Sequence, residues 1–405
     1  MRLALVMLVL LTSAAFASAQ EWPMFRHDLQ HTGYSDSHAP ETDAIAWMYS
    51  AEGSFSSPVV VDLKVFVGSE DGNLYALNAV NGLLLWKYQT GGEVLSSPAV
   101  ADDIVYFGSG DNCIYALYAD NGKPAWQNPY ETGGEVTSSP AVADGKLFVG
   151  STDGYVYALN ADDGSENWKF KTNGKVTSSP AVADGKVFVG SWDNRVYALN
   201  AENGEKIWEF QSTYVIVSSP ALVGDRVYIG LRRNWGPEGW SVVSLDASDR
   251  KLVWEYQTGG HIESSPAVAE NRVYVGADDS YLYCLDARDN TENREIWKYK
   301  TNDRVQSSPA AADNKVFVAS WDGYLYALNA ESGSLIWKHE IGQVARASPA
   351  IAYGKIFIGS IGGEFYCFGS WGEVVGPSIS TGVKYMLIAI FFFAILWFLR
   401  KKMRD

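Results

Sequence analysis

Short apolar stretches separated by turn-forming pairs recur from residue 45 to residue 369. Around Pro180 the unit is clear. Ser178-Ser179-Pro180-Ala181-Val182 reads as a short strand, and Asp184-Gly185 reverses it, because this pair tolerates the positive φ of a tight hairpin. Lys186-Val187-Phe188-Val189-Gly190-Ser191 has the apolar run of a buried strand. Asp193-Asn194 turns the chain into Val196-Tyr197-Ala198-Leu199-Asn200, and Asn203-Gly204 turns it again into Ile207-Trp208-Glu209-Phe210. Each unit therefore predicts four antiparallel strands.

The unit repeats eight times, with its proline at Pro58, Pro98, Pro140, Pro180, Pro220, Pro266, Pro309 and Pro349. A tryptophan precedes each one: Trp47, Trp86, Trp126, Trp168, Trp208, Trp254, Trp297 and Trp337. Eight residues after each proline stands an aromatic, from Phe66 to Phe357, followed by an apolar residue, from Val67 to Ile358. These in-phase positions predict layers packed between neighbouring sheets, each burying about 2 kcal/mol of apolar side chain. A period of roughly 40 with strand content predicts a closed ring of sheets. Only three strands follow Pro349, so residues 45–51 are expected to supply the fourth and remove the last open edge. The predicted fold is an all-β, eight-bladed β-propeller of four-stranded blades, closed by an N-terminal strand, plus one C-terminal transmembrane helix.

The two ends read differently. Arg2, the apolar run from Leu3 to Leu11 and Ala17-Ser18-Ala19 predict a signal peptide over 1–19, followed by an N-terminal segment over 20–44. After the propeller, 370–382 reads as a linker with Pro377 and three glycines. Residues 383–399 carry an uninterrupted apolar run from Tyr385 to Leu399, with Arg400, Lys401, Lys402 and Arg404 immediately after. The run is shorter than the roughly 20 residues a bilayer usually needs. Lys384 can snorkel and lengthen it. The basic stop predicts a single-pass cell-membrane protein with an extracellular or periplasmic propeller and a cytoplasmic tail over 400–405.

The whole chain has 32 Lys+Arg and 47 Asp+Glu. Without Arg2, Lys384, Arg400, Lys401, Lys402, Arg404 and Asp405, 26 remain against 46, a net charge of −20 for the ectodomain. That surface excludes nucleic acid as a partner. Cys113, Cys284 and Cys367 are the only cysteines. The last two fill the slot held by Ala76, Ala116, Ala158, Ala198 and Ala327 in other repeats, which predicts packing and no disulfide framework.

The run Leu328-Asn329-Ala330-Glu331-Ser332-Gly333-Ser334-Leu335-Ile336-Trp337 resembles the tryptophan-docking repeat of quinoprotein dehydrogenase propellers. Trp22-Pro23-Met24-Phe25-Arg26-His27-Asp28 is similar to the start of secreted PQQ-like repeat proteins, a group that includes the propeller lipoprotein of the outer-membrane barrel-assembly machinery. The resemblance implies that each tryptophan stacks on the next blade. For the enzymes of that shape it implies adjacent cysteines over the quinone, a calcium held by Glu and Asn, and an Asp base. No Cys-Cys pair and no haem-attachment motif occur here. A shared fold does not carry activity with it. No cofactor is expected, with PQQ and calcium as the alternative.

Candidate site residues come from positions that vary where the interior repeats. Twelve residues after each proline, on loops of one face, stand Glu70, Gly110, Thr152, Trp192, Arg232, Asp278, Trp321 and Ile361. Trp192 and Trp321 there are candidate interface anchors. Blade five lengthens this loop, and Arg232, Arg233, Trp235 and Trp240 form the preferred partner-binding set. Three residues before the proline, Glu263, Gln306 and Arg346 replace apolar or small groups. With His261 and Arg304 they define an axial polar pocket or a solvated channel. His27, His31 and His38, with Asp28 and Asp36, lack a metal-ligand pattern and are expected to pack against the propeller wall. The repeated Asp-Gly and Asp-Asp pairs read as hairpin chemistry.

The expected function is a non-enzymatic, membrane-anchored extracytoplasmic scaffold that binds a protein or small ligand, in the direction of cell-envelope assembly. A PQQ-dependent dehydrogenase with a divergent site and a ligand sensor coupled through the membrane helix are the alternatives.

Overall fold

A computed structural model describes residues 20–232, 239–342 and 347–370. The chain separates into two units, Met1–Gly369 and Ser370–Asp405, and the fold described is that of the first. The segments expected to be a signal peptide (1–19), a membrane helix (383–399) and a cytoplasmic tail (400–405) lie outside the described residues, as do Arg233, Trp235 and Arg346.

Each repeat forms one antiparallel four-stranded sheet, and there are eight. The innermost strand of each blade touches that of the next, and the eighth touches the first, so the ring closes. Closure follows the strand count. Ile45–Ser50 pairs antiparallel with Glu364–Phe368 and becomes the outer strand of blade eight. Blade four matches its sequence closely, with strands Ala181–Ala183, Lys186–Ser191, Arg195–Asn200 and Lys206–Gln211. Its apolar side chains meet those of blade three: Phe148, Ala158 and Trp168 pack with Val187, Val189 and Leu199. Cys284 and Cys367 are buried and free, each cross-strand from an aromatic and a docking tryptophan as the alanines are elsewhere. Blade two departs from the pattern. Its outer strand shrinks to Tyr130–Glu131, because Pro124 and Pro129 flank a stretch that cannot donate a regular ladder.

The Ser-Ser-Pro signature has a backbone cause. The amide of the second serine donates to the hydroxyl of its counterpart in the next blade: Ser97 to Ser139, Ser139 to Ser179, Ser179 to Ser219, Ser219 to Ser265, Ser265 to Ser308, Ser308 to Ser348 and Ser348 to Ser57. In five blades the first serine's hydroxyl accepts from the glycine amide on the adjacent strand, as Ser178 does from Gly190 at 3.1 Å. These bonds satisfy buried polar groups near the axis, the Ser307 hydroxyl of blade seven excepted.

The tryptophans dock as the resemblance implied. Trp168 Nε1 donates to the Ala201 carbonyl at 3.1 Å, and Trp86 to Ala119 at 3.0 Å. Gly204 lies beneath the Trp168 ring at φ 72, where an added Cβ would come within 2.6 Å of the indole. Trp337 uses the Pro40 carbonyl instead, so the N-terminal segment stands in for a missing repeat. Trp254 has no such acceptor; Arg294 lies over its ring at 4.3 Å.

Residues 20–37 occupy a place the sequence did not indicate. They run around the inside of the ring, along its inner strands. The inner strands of six blades donate to this segment: Val60 to Trp22, Val100 to Pro23, Val182 to Leu29, Leu222 to Gln30, Val268 to Thr32 and Ala311 to Gly33. Tyr34–Ser35 adds a short parallel strand to blade seven. Every inner strand is an edge, with unpaired backbone groups facing the axis. The segment accepts from one such amide in each of the six blades and plugs the channel at the end where first and second strands join. Arg26 is fully buried in this plug and donates to the Pro309 and Pro266 carbonyls. Burial lowers its guanidinium pKa to about 9, partly offset by Asp28. His31 donates to the Pro220 carbonyl at 3.2 Å, and burial lowers its pKa to about 4. Burial would raise Asp28, but hydrogen bonds from His27 and from the Thr32 hydroxyl and amide outweigh it and hold the carboxyl low.

Candidate functional site

The mouth at the other end is built from loops joining second to third strands and fourth to first strands. Backbone bonds fix its rim within each blade: Trp192 N–H to Lys175, Arg232 to Val215, Asp278 to His261 and Trp321 to Arg304, all carbonyl acceptors. Side chains then cross between blades. Arg232 of blade five pairs with Glu263 of blade six at 2.7 Å. Gln306 of blade seven donates to Asp278 of blade six at 2.9 Å. Trp240 meets the His261 ring edge-on at 5.2 Å, and the Arg304 guanidinium lies 5.4 Å from the Trp321 ring centre.

The described axial residues thus form a polar arc over blades five to seven, with Arg232 paired to Glu263 and Gln306 to Asp278. Gln306 is 9% exposed. Its Oε1 is buried and without a partner, as are His261 Nδ1, Trp240 Nε1 and Trp321 Nε1. Trp192 is 42% exposed and donates to the Thr177 hydroxyl at 2.9 Å. Trp321 is only half-exposed. Arg232 and Trp240, from the preferred partner-binding set, belong to this same arc. On the opposite side of the mouth the axial positions are apolar, Phe55 buried and Leu95 exposed, while Glu70 on the rim accepts from the Ser54 hydroxyl at 2.6 Å.

Asp278 was legible as a variable position but not as Gln306's partner, because the contact links one blade's loop to the next blade's. The Asp residues of the other loops are structural. Asp193 accepts from the Tyr197 hydroxyl and from the Asn173 amide of the preceding connection. Burial, then the hydrogen bond to Asp193, keeps the Tyr197 phenol well above its usual range. On the opposite face an open depression of about 850 Å³ is lined by Asp225, Arg226, Arg288 and Asp289. Arg226 there is already paired with Asp246 and Asp289.

Among the described residues no three His, Cys, Asp or Glu side chains converge at a metal-binding spacing. Two carboxylates of the arc, Glu263 and Asp278, are engaged by Arg232 and Gln306.

Ring, docking tryptophans and serine bonds together define a PQQ-like repeat propeller of eight blades. A family model described as "Outer membrane protein assembly factor BamB" (PQQ_2) matches residues 36–138, 114–239, 237–293 and 287–384, and the chain belongs to that family. No curated protein matches it significantly. Solved structures with the same fold include BamB from Moraxella catarrhalis, 15% identical over 80% of this chain and 96% of that one, with a TM-score of 0.66. A europium-containing methanol dehydrogenase is 14% identical over 87% of this chain and 98% of that one, with a TM-score of 0.75. The computationally designed Ika8 protein is 16% identical over 81% of this chain and 100% of that one, with a TM-score of 0.69.

Proposed function

We propose that this protein is a non-enzymatic binding scaffold, held at the cell membrane by residues 383–399, that presents the mouth of its propeller opposite the plug to an extracytoplasmic partner. One observation carries the reading. The interior and the docking face repeat blade by blade, whereas the mouth over blades four to seven replaces the repeat with Trp192, Arg232, Glu263, Asp278, Gln306 and Trp321. Residues freed from packing on a rigid ring are where binding is grafted. Membership of the BamB-described family supports a scaffold role, and the paired state of the mouth carboxylates supports binding over catalysis. A role in envelope assembly is the finer form of the same proposal.

Photo-crosslinking residues placed at Thr137 and Arg304, with Leu83 on the outer wall as comparison, test it in cells. Adducts are expected from the two mouth positions and not from Leu83. Adducts from Leu83 alone, or from none of the three, would refute the assignment.

A further inference from the structure

Unsatisfied buried polar atoms are rare in folded proteins, and each calls for an explanation. Around this mouth four gather: the Trp240 and Trp321 indole N–H groups, His261 Nδ1 and Gln306 Oε1. The set offers both donors and an acceptor. Among the described residues Arg232 faces Glu263, Arg304 lies 3.9 Å from Asp303, and Asp278 accepts from Gln306. The orphaned atoms are thus neutral amide, imidazole and indole groups beside aromatic faces, and the −15 chain adds a field hostile to anions.

Hydroxyl groups donate and accept at once, and a pyranose ring also presents an apolar C–H face that stacks on indole. Trp192, Trp240 and Trp321 are spaced over blades four, five and seven along the rim, which suits a chain of linked rings better than one small molecule. Building on the scaffold reading, we propose that the mouth binds a neutral oligosaccharide. Side chains of the arc turn to engage it, and Gln306 Oε1 accepts a sugar hydroxyl while the indoles stack or donate.

The test uses the full-length protein in detergent, titrated calorimetrically with cellohexaose, with chitohexaose and with an uncharged Gly/Ser/Tyr dodecapeptide. Saturable heat is expected for at least one hexasaccharide at millimolar concentrations. Trp192→Ala and Trp321→Ala should each weaken it about ten-fold. Gln306→Leu should abolish it, and Leu83→Ser, on the outer wall, should leave it unchanged. Trp192 is exposed, so its variant reads the site even where Gln306→Leu fails to fold. No saturable heat with either sugar, heat only with the peptide, or sugar binding untouched by the three mouth substitutions would overturn the proposal. Crosslinking from Thr137 and Arg304 reads the scaffold assignment separately, so the two can fail independently.

Discussion

At the scale of single residues, two features tie stability to identifiable groups. His31 is buried and neutral in the plug, with its pKa lowered from 6.5 to about 4. Below pH 6.5 the unfolded chain takes up a proton that the folded chain refuses, so the contribution is intact above 6.5 and lost as pH falls toward 4. The loss approaches about 3 kcal/mol at its limit. Thermal melts of His31→Gln should therefore fall less steeply than wild type between pH 6.5 and 4; parallel curves would show that His31 does not titrate this way. Gly204, at φ 72 under the Trp168 ring, makes the second case. Gly204→Ala combines a left-handed backbone with a clash against the indole, and should cost about 2 kcal/mol, read as a lowered Tm.

Among elements, the plug has the largest consequence. Six inner-strand amides reach residues 22–33 instead of a neighbouring strand. Removing residues 20–37 should leave the strand content near wild type by circular dichroism. It should also speed hydrogen exchange selectively at Val60, Val100, Val182, Leu222, Val268 and Ala311, because opening an edge exposes its amides without unfolding the sheet. Uniform acceleration would instead mean that the plug holds the whole ring. The outer strand Ile45–Ser50 acts otherwise, since its pairing with Glu364–Phe368 joins chain ends more than 300 residues apart.

At the largest scale, the first unit, up to Gly369, is a closed ring whose two faces differ. One end is sealed by the chain's own N-terminal segment, and the other carries a mouth that breaks the repeat. Its fold is shared with a methanol dehydrogenase and with BamB alike at 14–15% identity, so fold leaves activity open. Dye-reduction assays of the full-length protein supplied with PQQ and calcium, with alcohols or sugars as substrates, are expected to show no turnover above a heat-treated control. Quinone-dependent turnover would replace the scaffold proposal with the enzymatic one.

The ring, its eightfold count and its closing strand were written in the sequence, because period and alternation are local properties that packing between like repeats can only reinforce. Tryptophan docking was legible for the same reason. The plug was not: Trp22 to Ser37 has no periodicity, and its partners are backbone amides, which every residue but proline carries. The pairing of Arg232 with Glu263 and of Gln306 with Asp278 was equally hidden. Those side chains lie 31 and 28 positions apart, and only the curvature of the ring brings neighbouring loops within hydrogen-bonding distance.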